Sequence, residues 1–170
     1  HREGFAVSGI DGSAAAIDIT RGRLAAENKG NGSPEADLRV GNFQKLPWED
    51  GTFDVALDIF AVYANTSAVI SSTVAEIARV LKPGGLFYCK LWGTATTGFG
   101  EGKQLEPGTF DDIPCGPCCN MGVSHFFDRE EIMQLYGRHF TPLAIDVVMR
   151  SDAAASQQIE EFHCQFRKPG

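Results

Sequence analysis

Asp11 is the first residue in the chain whose type and place suggest chemistry. It lies in the stretch FAVSGIDGS (5–13), where Phe5, Ala6, Val7 and Ile10 read as a short buried strand and Gly12 and Ser13 lead into a helix. In open α/β sheets, ligands bind beyond the carboxyl ends of the strands, and an acid there can accept from both hydroxyls of a ribose. Asp is also a preferred helix N-cap, so the position supports both uses. A ribose-holding acid normally comes second, some twenty residues after a glycine-rich turn. Here only four residues precede the strand.

Further candidates lie downstream. Asp58, Phe60 and Tyr63 fall at and just beyond the end of the apolar run FDVALDIFAVYA (53–64), again on the ligand side of such a sheet. Tyr63 or Asp58 could orient or deprotonate a ligand there, and Phe60 reads more simply as a packed strand end. His125 precedes a helix at the mouth of the expected pocket, and imidazole is a general base near neutrality. GPCCNMGVSHFF carries Cys115, Cys118 and Cys119 close to His125. That spacing invites a zinc reading, but Cys118 and Cys119 are adjacent and hard to place on one tetrahedral ion. The expectation is that no metal is bound and that this segment forms a reduced cap.

These residues need elements to hold them. A run of 170 residues, 43% hydrophobic and 22% charged, fits one globular domain spanning 1–170. A net charge of −7 and a pI near 5.0 argue against a nucleic-acid partner, which needs clustered Lys and Arg. No apolar run is long enough for a membrane span. Five cysteines with no secretory leader point to a reducing, cytoplasmic setting.

Helical spacing marks 13–30, with Ile17, Leu24 and Ala25 on one side, and GNGSPEA (30–36) reads as a loop. A strand is expected at 37–43 and a buried strand at 53–64. A helix follows over 67–85, with Ile70, Val74, Ile77, Ala78 and Leu81 on one face and Pro83-Gly84-Gly85 as its stop. LFYCKLWG (86–93) is a strand. Residues 93–124 form a long insertion without clear periodicity. Asp128 opens a helix with Glu131 in capping-box spacing and Ile132, Leu135 and Tyr136 inward. Strands at 142–150 and 159–167 close the chain. This alternation gives an α/β, Rossmann-like, mostly parallel sheet with helices on both faces and an antiparallel C-terminal strand.

GIDGS, GNFQKLPWEDGTFDVALDIFAVYA, EIARVLKPGGLFYCKLWG, HFFDREEI and FRKPG, in that order and spacing, resemble the class I S-adenosylmethionine-dependent methyltransferases. The resemblance implies methyl transfer from S-adenosylmethionine to a small-molecule acceptor. It places the cofactor on Asp11, Gly12, Ser13, Asn42, Phe43 and Phe60, with Asp11 on the ribose. Asn42 stands where the family usually has an acid against the adenine, and Phe43 reads more simply as core. The family's first strand, first helix and glycine-rich turn have no counterpart, so the expected sheet lacks its first βα unit. Two central strand edges are then unpaired, which predicts a homo-oligomer, with strand exchange between copies as one route. Three other readings stand beside this one. The chain is alternatively an inactive remnant serving as an interaction module. It is alternatively a metalloid or thiol methyltransferase using Cys118 and Cys119. A nicotinamide-dependent oxidoreductase shares the acid at Asp11, but the closing strands and the LKPGG…RKPG punctuation speak against it.

Overall fold

The structure is a computed structural model that describes residues 3–27, 36–151 and 156–170. The expected loop at 30–36 therefore falls outside the described residues except for Ala36, as does the tail of the first expected helix. The chain folds as two compact units, His1–Pro47 and Trp48–Gly170.

In the first unit, β1 (Ser8–Asp11) pairs in parallel with β2 (Asp37–Val40), and α1 (Ala14–Glu27) connects them. The N-cap of α1 is Ser13, whose Oγ accepts from the Ala16 amide at 3.3 Å. Asp11 sits two residues earlier and its Oδ1 accepts from the Ser13 amide at 2.7 Å, so the cap reading of Asp11 moves to Ser13. The expected burial of the first strand is not met. Phe5 is 70% exposed and Ile10 is only half-buried, because β1 has four residues and is paired on one side only. Of the α1 residues, only Ile17 is buried.

In the second unit, β3 (Phe53–Ile59), β4 (Leu81–Trp92), β9 (Gln158–Arg167) and β8 (Thr141–Ser151) form one sheet in the order β3-β4-β9-β8. β3 and β4 run parallel, and the other two pairings are antiparallel. β4 from Gly85 onward and β9 from Phe162 onward alternate. Phe87, Cys89, Leu91, Phe162, Cys164 and Phe166 are all buried, and Tyr136 of α3 (Arg129–Tyr136) stacks on Phe166 with centroids 5.4 Å apart. α2 (Ser67–Val80) packs against α3 and β4. The opposite side of β3 and β4 exposes Val55, Leu57, Ile59 and Leu86.

α2 stops earlier than the spacing predicts. It ends at Val80, and Leu81 through Gly85 already belong to β4. Pro83 cannot donate and pushes Lys82 out of the helical region. The C-terminal RKPG then holds this segment extended. Gly84 N donates to Lys168 O at 3.0 Å, Lys168 N to Gly85 O at 2.9 Å, and Lys168 Nζ to Leu81 O at 2.7 Å. The two motifs that stood 80-odd residues apart in sequence are one contact in the fold.

The insertion carries short strands that its sequence does not announce. β5 (Lys103–Glu106), β6 (Thr109–Asp111) and β7 (Ser124–His125) form an antiparallel sheet, with Phe99, Phe110 and Phe126 packed edge to face. Strands this short carry too few alternations to be read as periodic.

Phe166 is fully buried in an aromatic stack with Tyr136 and Phe87. Phe166→Ala is expected to cost about 3–5 kcal/mol of stability, read as a lower urea midpoint at unchanged slope.

Candidate functional site

β3 ends at Ile59, and its exit is built on Asp58. That side chain is 5% exposed. Its Oδ1 accepts from the amides of Ala61 at 3.0 Å and Val62 at 3.2 Å, while its Oδ2 is buried with no partner. Burial pushes the carboxyl pKa up, and the two amides only partly oppose this. The tight turn leaves Phe60 at φ +54°, a region that L-residues with bulky side chains avoid. The expected strand to residue 64 is therefore broken after Ile59.

The turn throws the Phe60 ring onto Trp92 at the end of β4, with centroids 4.0 Å apart and planes 18° apart. Tyr63 is buried and stands edge-on to both rings, at 6.3 Å from Phe60 and 6.1 Å from Trp92. Its hydroxyl lies beside the Trp92 indole N–H and the Cys118 thiol, and burial raises its pKa. The Trp92 N–H nonetheless has no partner in good hydrogen-bonding geometry. Trp92 was not among the candidates read from sequence. Its place in LFYCKLWG, at the end of a strand paired with the one carrying Asp58, is the signal that would have found it.

His125 is fully buried and bonded on every polar atom of its ring and amide. Its amide donates to Tyr63 O at 3.0 Å. Nδ1 lies 2.6 Å from Thr109 Oγ1, and Nε2 lies 3.0 Å from Glu131 Oε1. Thr109 also donates to Glu106 Oε1 at 2.9 Å, and Glu106 in turn accepts from the Ser67 amide at 2.6 Å at the start of α2. The imidazole thus ties the insertion to both helices. To act as a base it would have to release one partner. Gly108, at φ +77°, lets the chain pass here, since a Cβ would lie 2.9 Å from His125 Cε1. Glu131 fulfils half of the capping box. Asp128 Oδ1 accepts from its amide at 2.8 Å, but its carboxylate goes to His125.

In the first unit, the ends of β1 and β2 bring Asp11, Gly12 and Ser13 beside Gly41 and Asn42. Gly41 N donates to Asp11 O at 3.0 Å. A Cβ on Gly12 would meet nothing nearer than Gly41 O at 4.0 Å, so the space there is open. Asn42 Oδ1 accepts from the Gln44 amide at 2.8 Å, so the carbonyl expected to face an adenine amine already closes a turn. Phe43 is half-buried rather than core.

Cys118 is buried with its thiol pKa pushed up by burial, beside Ser124 and Tyr63. Cys119 instead accepts from Asn120 Nδ2, so adjacent sulfurs face different surroundings. Among the described residues, no three or more His, Cys, Asp or Glu gather as a metal site. No helix among them is long and apolar enough to cross a membrane.

Residues 1–89 match the family described as a methyltransferase domain. The chain is 41% identical over 86 residues to a demethylmenaquinone methyltransferase of Symbiobacterium thermophilum, covering 49% of this chain and 31% of that protein. It is 34% identical over 90 residues to the mitochondrial 2-methoxy-6-polyprenyl-1,4-benzoquinol methylase of Dictyostelium discoideum, covering 48% and 28%. The matched stretch thus spans less than a third of either relative. The fold matches that of a SAM-dependent methyltransferase from Methanosarcina mazei with a TM-score of 0.74 at 23% identity, covering 99% of this chain and 84% of the other. It also matches the N-methyltransferase NodS of Bradyrhizobium japonicum in complex with S-adenosylhomocysteine, with a TM-score of 0.63 at 13% identity and coverages of 97% and 67%.

The Ser67 amide, with further help from Thr109, holds the Glu106 carboxyl below its ordinary value of 4.5 against the opposing effect of burial. A depressed carboxyl contributes stability that is present above its unfolded pKa and lost as pH falls through the folded one. Wild type should therefore exceed Glu106→Gln in melting temperature at pH 7 and lose that advantage on acidification from about pH 5 to about pH 3. A difference that stays constant over that range would contradict the assignment.

Proposed function

The chain belongs to the methyltransferase domain family, and from that premise we propose that it carries out S-adenosylmethionine-dependent methyl transfer to a small-molecule acceptor. The observation that carries the cofactor half is Asp11. Its Oδ1 is fixed by the Ser13 amide, Oδ2 makes no hydrogen bond among the described residues, and the neighbouring Gly12 has no atom crowding the place of a Cβ. A carboxylate so held fits a ribose hydroxyl. Gly12 and Ser13 would flank the ribose, and Asn42 and Phe43 would border the adenine.

The cofactor, when bound, supplies a methyl group already activated on a sulfonium. The chain's own task is then alignment, so proximity and orientation supply most of the effect. Tyr63 and Asp58 are proposed to orient the acceptor, and Asp58 to take its proton where one must leave. Burial raises the Asp58 carboxyl toward the range where a general base is useful. His125 is proposed to serve the site by fixing the backbone of Tyr63.

A second reading is favoured by a specific observation. Among the described residues β3 pairs with β4 alone, and it exposes Val55, Leu57 and Ile59, as a self-associating, non-catalytic member of the family would. Homo-oligomerisation, with strand exchange as one route, is part of our proposal under either reading. A cytoplasmic setting is proposed as well, supported by five free thiols.

Calorimetric titration with S-adenosylhomocysteine tests the first reading. Saturable binding is expected, weakened at least about tenfold in Asp11→Ala, as suits the loss of a charged hydrogen bond. No binding by a well-folded chain would leave the second reading. Light scattering at micromolar concentration is expected to report a dimer or larger species, and a clean monomer would remove the association.

A further inference from the structure

We propose that the Phe60–Trp92 stack is the wall against which the acceptor lies, that the acceptor is accordingly a planar unsaturated ring, and that Asp58 is the positioning residue that builds this wall. The inference rests on the reading that the ends of β3 and β4 receive the acceptor.

The shape of the site argues for a flat ligand. Two nearly parallel rings 4.0 Å apart are both half-buried, so the stack keeps solvent-facing surface on which a third ring can lie. Tyr63 stands at 86° to Phe60 and 84° to Trp92, closing the stack on one side as an upright wall. A planar ring in that corner gains an offset-stacked partner and an edge-to-face partner together. A saturated ring of the same volume gains only burial.

Asp58 makes this arrangement possible. Phe60 does not adopt φ +54° by preference. The turn is held because one Asp58 oxygen takes both the Ala61 and the Val62 amides. Removing that acceptor frees the turn to relax toward ordinary backbone, which swings the Phe60 ring off Trp92. Asp58 therefore also acts on the ligand through Phe60, in addition to the direct role proposed for it above.

The test is calorimetric titration of the 170-residue chain with 1-naphthol and with decahydro-1-naphthol, a matched flat and puckered pair, with S-adenosylhomocysteine titrated separately. Wild type is expected to prefer 1-naphthol at least about tenfold. Trp92→Leu and Asp58→Ala should each cut that preference about three- to tenfold, in keeping with the worth of an aromatic pair. Asp58→Asn, which keeps a carbonyl oxygen for the two amides, should restore most of it. All three should keep a single cooperative thermal transition, which a general loss of structure would not allow. Equal binding of the two probes by wild type, or an undiminished preference in Trp92→Leu, overturns the proposal. If Asp58→Ala does not fold, Phe60→Leu replaces it, with the same loss of preference expected. Absence of S-adenosylhomocysteine binding with the probe preference intact would sink the cofactor reading and leave the ring wall supported.

Discussion

A parallel strand must release its chain at its carboxyl end, and β3 does so over a single buried carboxylate. The two amides held by Asp58 convert what the sequence presents as a twelve-residue apolar run into a seven-residue strand and a turn. The side chains expected to line a pocket inherit their directions from that turn. Phe60 goes to Trp92, and Tyr63 goes inward to Cys118. A charged group with one oxygen unsatisfied in a low-dielectric interior is costly, and sites that keep such a group usually use it.

The second constraint is a buried polar chain. It runs from the Ser67 amide through Glu106, Thr109 and His125 to Glu131. It joins α2, three segments of the insertion and α3, and it explains why a segment rich in Gly, Thr and Pro is ordered at all. Fully satisfied networks of this kind fix one arrangement, because breaking any link leaves a buried group unpaired. The aromatic cluster of Phe99, Phe110 and Phe126 supplies the apolar half of the same anchoring.

What the sequence revealed follows from where its signals are local. The face of α2 and the Asp128 cap of α3 depend on spacing within a few residues; the cap appears as read, and so does the face from Ile70 to Ala78, while Leu81 falls beyond the helix end. The extent of β3 and β4 did not, because it depends on tertiary bonds. Asp58 cuts β3 short, and Lys168 pulls Lys82–Gly85 into β4. In the sequence His125 shows only its type and place, which fit either a base or a hydrogen-bonded core residue. Its two partners, Thr109 and Glu131, lie on other elements and give it a bridging position. Trp92 escaped notice for the same reason, since its meaning comes from Phe60, 32 residues away in sequence.

β3 exposes one more local-global mismatch. Val55, Leu57 and Ile59 give FDVALDI the composition of a strand covered on both faces, yet Leu57 is 70% exposed and its two neighbours 51% each. Leaving such side chains in water forfeits about 1–2 kcal/mol apiece. Asp58 and Ala56, on the other side, are covered. The alternation therefore separates two demands on one strand. Its inward side is committed to a polar device that shapes the site, and its outward side is a bare apolar row that favours burial against another surface. Because the two sets point in opposite directions, covering the outward row does not require the Asp58 turn to change. Association and ligand recognition can then be altered independently in this strand.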